Sequence, residues 1–83
     1  MADTQRQRLE AREEAILAAA TAVFGESGVD GARMAEIARR ADVAEGTVYL
    51  YYKNKHELLE AVVDHFWREL TKGAISAISE GAT

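Results

Sequence analysis

Apolar positions recur at helical spacing along most of the chain. Ile16, Ala19, Ala20, Val23 and Phe24 repeat at intervals of three and four, while Arg12, Glu13 and Glu14 fall mostly on another face. That pattern predicts a first amphipathic helix over residues 8–26. It should close at Gly25 or at Ser27-Gly28, because Gly28 can take the left-handed conformation without a Cβ penalty. Met34, Ile37, Ala38 and Ala41 mark a short second helix from about Ala32 to Arg40, with Asp30 as the nearest strong capping residue. A tight turn over Ala41 to Ala44 leads into a third helix from Glu45 to Tyr52, with Val48 and Tyr52 on one side and Thr47, Leu50 and Tyr51 on others. Asn54, followed three positions later by Glu57, forms a capping box that opens a fourth helix. Leu58, Leu59, Val62, Phe66 and Leu70 continue it, and Ala74, Ile75 and Ile78 extend it to about Ser79. At 1.5 Å per residue such a helix is about 35–40 Å long, more than three short helices can cover. Phe66 is expected to reach the first three helices, and Ile75 and Ile78 are expected to lie beyond them.

Composition supports an all-α chain. Hydrophobic residues make up 48% and charged residues 29% of the 83 positions, and proline is absent, which favours helices over disorder or a turn-rich sandwich. Without cysteine there is no disulfide or thiolate site, so the fold rests on packing, as suits a reducing cytoplasm. The longest apolar run near the start, Ala15 to Ala20, is too short to cross a bilayer, so neither a signal peptide nor a membrane helix is expected. His56 and His65 stand nine positions apart with no third ligand at zinc spacing, so no metal and no cofactor is expected. No nucleophile has a base beside it, and the chain is too short for a substrate pocket. It therefore reads as no enzyme, with no catalytic residue.

A net charge of −4 is awkward for a nucleic-acid ligand until its distribution is considered. Between Arg33 and Lys55 five basic residues stand against three acidic ones, whereas from His56 onward two basic residues face five acidic ones. The mildly basic middle coincides with two short helices joined by a tight turn, the layout of a helix-turn-helix. In that layout the second helix enters the major groove of DNA. Glu45, Gly46 and Thr47, followed by Tyr49, Leu50 and Tyr51, offer small residues where backbone nears DNA and interactive groups beyond. Gly46 within a helix costs about 1 kcal/mol relative to alanine, which calls for a compensating close approach. Arg39, Arg40 and Lys53 read as solvated charges, and Tyr52 as a core aromatic.

The ordered set Ile16-Leu17-x-Ala19-Ala20, Phe24, Gly28, Glu36-Ile37-Ala38, Ala41-x-Val43, Gly46-Thr47-Val48-Tyr49-x-Tyr51-Tyr52 and Lys55-x-x-Leu58-Leu59 resembles the N-terminal domain of the TetR family of transcriptional regulators. The resemblance implies a three-helix, homeodomain-like helix-turn-helix bundle plus the start of a long connecting helix. Residues 1–10 would be a flexible arm, 11–60 the DNA-binding domain, and 61–83 the connecting helix toward a C-terminal effector and dimerisation domain outside this sequence. The resemblance implies a cytoplasmic bacterial regulator, a repressor that binds a double-stranded palindromic operator as a homodimer. A small-molecule effector would act only through the C-terminal domain. By position, Glu45, Gly46, Thr47 and Leu50 would lie near base edges, and Tyr49, Tyr51 and Lys55 would meet phosphates.

Three positions depart from the family pattern. Ala32 and Arg33 replace the usual threonine near the second helix, so Arg33 is expected to supply a phosphate contact. Asp42 stands where the turn usually has glycine, and Ala44 replaces the serine cap of the third helix. An alternative reading is a helical interaction or assembly module that uses the apolar fourth helix as its partner surface.

Overall fold

The computed structural model describes the backbone of residues 2–81 and the side chains of residues 4–72. Four helices follow one another: α1 (Ala2–Gly31), α2 (Met34–Arg40), α3 (Glu45–Tyr51) and α4 (Lys55–Gly81), with no strand among the described residues. The all-α expectation holds.

Helix α1 is interrupted at Gly28, where φ is 72° and ψ is 168°. The positive φ was expected, but this ψ lies outside the left-handed helical well, in a region open essentially to glycine. The chain then makes one further turn, closed by the Ala32 amide donating to the Val29 carbonyl at 3.3 Å. Upstream, residues 2–10, expected as an arm, continue α1 as helix, and the described side chains among them are all exposed. The run Gln5 to Glu14 is rich in good helix formers, which favour propagation of the helix from the packed part of α1.

Ile16, Ile37, Val48 and Leu58, one from each helix, are the largest fully buried side chains. Leu17, Ala19, Ala20, Val23, Ala32, Met34, Ala38 and Tyr52 complete the core, which contains no buried charged residue. Helix α1 packs on both α2 and α4, and α2 packs on α3. The first helix is thus the platform on which the other elements are arranged.

The turn after α2 has the hydrogen bonds of a Schellman motif. The Val43 amide donates to the Ala38 carbonyl at 3.0 Å and the Asp42 amide to the Arg39 carbonyl at 3.2 Å. Asp42 occupies the left-handed position at φ 58°, so aspartate adopts the conformation that glycine would take more readily. Val43, next along, packs against the core and supplies the hydrophobic contact usual for this motif. At the helix starts, Arg33 and Ala44 occupy the N-cap positions and neither makes a side-chain cap. Asp30 is therefore not the cap of α2, which begins two residues later than expected. Helix α4 is capped as its sequence requires: the Glu57 amide donates to Asn54 Oδ1 at 2.9 Å. In return the Glu57 carboxylate accepts from the Lys53 amide at 3.0 Å, one residue before the N-cap.

The reach of the core along α4 is shorter than its periodicity suggests. Leu58 is fully buried and Ala61 and Val62 are half-buried against the core. Phe66, expected to reach the other helices, is instead 62% exposed, with Trp67 at 58% and Leu70 at 52%. Spacing kept Phe66 on the stripe of Leu58 and Val62, but the other helices do not extend over it. Phe66 and Trp67 pack mainly edge-on against each other, their ring centroids 6.4 Å apart. Ile75 and Ile78 lie outside the residues whose side chains the structure describes.

Candidate nucleic-acid interface

Helix α3 is held from below by a single fully buried side chain, Val48, and by Tyr52 immediately after its end. Tyr52 leaves the helix in extended conformation, φ −137° and ψ 122°, which turns its ring into the core. Its hydroxyl donates to Glu13 Oε1 of α1 at 3.2 Å. Burial first, and then the nearby Glu13 carboxylate, push the Tyr52 hydroxyl up to about 12. The end of α3 is thereby tied to the middle of α1.

The opposite face of α3 is free. Gly46, Tyr49 and Leu50 share it at spacings of three and four, with Leu50 85% exposed and Tyr49 45% exposed. Glu45 is exposed beside them and Thr47 is half-buried at the edge. Apart from its chain neighbours and its own helix backbone, no protein atom lies within 4 Å of where a Cβ on Gly46 would stand. Nothing inside the chain therefore requires glycine there. Tyr51 is half-buried like Thr47 but packs against the core, with its ring 6.3 Å from that of Tyr52.

The basic groups separate into two sets. Arg40 donates to both carboxylate oxygens of Glu26, at 2.5 and 2.6 Å, and to Glu36 at 3.0 Å. Arg39 binds the same Glu36 through two nitrogens, at 2.6 and 2.9 Å. Hydrogen bonds from Arg39, and then from Arg40, hold the Glu36 carboxyl down to about 2, and Arg40 likewise lowers Glu26. Both guanidinium groups are raised in turn. These two arginines are exposed but internally paired, not merely solvated. Arg33 is exposed at the start of α2 and has no ion pair among the described residues.

Lys55 is half-buried at the first position of α4. Its ammonium donates to the Ala32 carbonyl at 3.1 Å and approaches the Asp30 carbonyl at 3.4 Å. Ala32 directly precedes Arg33, so the structure brings Lys55 to the backbone beside Arg33. The residues singled out from sequence thus fall into three groups: Glu45, Gly46, Thr47, Tyr49 and Leu50 on or beside the free face of α3; Tyr51 against the core; and Arg33 with Lys55 at the start of α2. The Glu26–Arg40 and Glu13–Tyr52 links were not foreseen, since 14 and 39 residues separate their partners.

Residues 16–62 match the family model described as bacterial regulatory proteins, tetR family. Among curated proteins, the chain is 35% identical to the fatty acid metabolism regulator protein of Bacillus subtilis (strain 168), over 82% of this chain and 35% of that protein. It is 38% identical to an HTH-type transcriptional repressor of Mycobacterium tuberculosis, over 86% of this chain and 39% of the repressor. With the HTH-type transcriptional regulator BetI of Proteus mirabilis it shares 37% identity, over 71% of this chain and 30% of the regulator. The chain thus spans well under half the length of these relatives.

Proposed function

We propose, since this chain belongs to the TetR family of bacterial regulatory proteins, that α3 enters the major groove of a double-stranded operator and reads its sequence. The observation that carries this reading is the free face of α3. It sets a large, exposed Leu50 beside a glycine that no contact within the chain explains. A major groove about 12 Å wide accepts a helix, and Gly46 lets the backbone come close to it. Leu50 then meets a thymine methyl, Thr47 donates to or accepts from a base edge, and Glu45 accepts from cytosine N4 or repels wrong sequences. Tyr49 and Tyr51 offer hydroxyl donors to phosphates. Arg33 and the remaining N–H of Lys55 add cationic contacts at the start of α2. In the complete protein two such heads, joined as a homodimer by a C-terminal domain, occupy the halves of a palindromic site and repress transcription. A small molecule bound by that domain controls them, and the protein works in the cytoplasm without catalysis.

Selection from random DNA with the full-length protein tests the reading. A palindromic consensus whose preferences shift in Thr47→Ala and Leu50→Ala is the expected result. Failure to enrich any sequence, with no DNA affinity even at low salt, would overturn it. Those outcomes would favour the second reading, in which exposed Phe66, Trp67 and Leu70 make α4 a protein-assembly surface.

A further inference from the structure

The break at Gly28 ends the regular part of α1, and the chain makes one further turn before Arg33 opens α2. Carbonyl groups at a helix end that lack following donors are stabilised by cationic side chains nearby, through hydrogen bonds and through the negative end of the helix dipole. In this chain the cation arrives from 23 and 25 residues away. Lys55 Nζ lies 3.1 Å from the Ala32 carbonyl and 3.4 Å from that of Asp30, on a half-buried side chain.

We propose that Lys55 is a positioning residue, a strut that fixes the start of α4 against the α1–α2 junction. It holds that junction in the conformation from which α2 and α3 extend. Three features place it there. Its own backbone begins α4, where Asn54 and Glu57 cap the helix and fix its direction. Its target carbonyl belongs to Ala32, which is buried in the core and immediately precedes the N-cap of α2. That N-cap, Arg33, makes no side-chain cap, so the start of α2 is held by the burial of Ala32 and Met34 and by the contact from Lys55 rather than by a capping side chain. A displacement of α4 would therefore be passed by Lys55 to the start of the helix-turn-helix. The strut rests on contacts within the chain. Its link to DNA reading rests on the function proposed above, in which the same ammonium also meets phosphate.

The two roles separate experimentally. Lys55→Met keeps the aliphatic stem and removes the ammonium, and Lys55→Arg keeps charge and donors. Melting and amide hydrogen exchange are measured on the DNA-free chain, and salt dependence of operator binding on the full-length protein. A strut predicts that Lys55→Met lowers Tm by about 4–8 °C. It also predicts faster exchange at amides 29–35, ahead of those around Val48 and Leu58, and restoration of most of both effects in Lys55→Arg. Wild-type melting and wild-type junction exchange in Lys55→Met would overturn the strut, whatever happens on DNA. A salt slope that falls by about one unit in Lys55→Met reports the phosphate contact alone. Absence of operator binding by the wild type would count against the functional reading and leave the DNA-free result to decide the strut.

Discussion

Helix α3 and the far half of α4 both present large apolar side chains to solvent, yet they differ in how they are supported. Helix α3 is only seven residues long, but Val48 beneath it, Tyr52 at its end and the Asp42 turn before it hold its position from three sides. Leu50 is exposed on an element whose placement is already determined. Beyond Val62 the support thins to the half-buried His65 beside α1, and Phe66, Trp67 and Leu70 project from faces of α4 that the other helices leave exposed. Exposure on α3 presents a surface backed by the core, whereas exposure on α4 marks the boundary of the core.

The largest expected effect divides α4 itself. Leu58→Ala should destabilise the chain by about 2–5 kcal/mol, much of the stability of a domain this small, while Phe66→Ala should cost less than about 1 kcal/mol. Urea unfolding of both variants checks the contrast, and a large loss at Phe66 would show that the core extends further along α4. On α3 the sign of importance reverses. Leu50→Ala should leave the urea midpoint almost unchanged but alter preference at one operator position by about 1–3 kcal/mol in competition binding. Unfolding of that variant would make Leu50 structural and erase the distinction between the two exposed surfaces.

The turn that sets α3 in place allows a gain. Asp42→Gly should stabilise the chain by about 1 kcal/mol, since glycine adopts φ 58° without the Cβ penalty, and thermal melting reads the change. Destabilisation would mean that the Asp42 side chain contributes something the turn geometry does not reveal. The smallest effect concerns the ion pairs that Glu36 makes with Arg39 and Arg40 within α2. Glu36, held at about 2 in the fold and ordinarily at 4.5, adds stability that is present above pH 4.5 and lost as pH falls toward 2. Because the group is exposed the effect should be slight and weakened by salt. Urea midpoints of wild type and Glu36→Gln should converge across that window, and parallel curves would remove Glu36 from the pH response.

Local chemistry determined much of this molecule. The period of apolar residues placed Ile16, Ile37, Val48 and Leu58 inward, Asn54 and Glu57 announced the start of α4, and Gly28 marked the end of the regular part of α1. Each of these depends on neighbours within about one helical turn, so a linear sequence contains the relevant information. Leu50 was likewise read on a face away from Val48 and Tyr52, whereas the half-burial of Thr47 and Tyr51 was not foreseen. Tertiary structure alone decided what lies across from each helix. The pairing of Arg40 with Glu26, the Tyr52 bond to Glu13, the seat of Lys55 on the Ala32 carbonyl and the exposure of Phe66 all depend on where helices cross and how far they overlap. Helical periodicity specifies which face a side chain occupies, but the extent of the surface opposite that face is set by the other helices and by the turns that aim them.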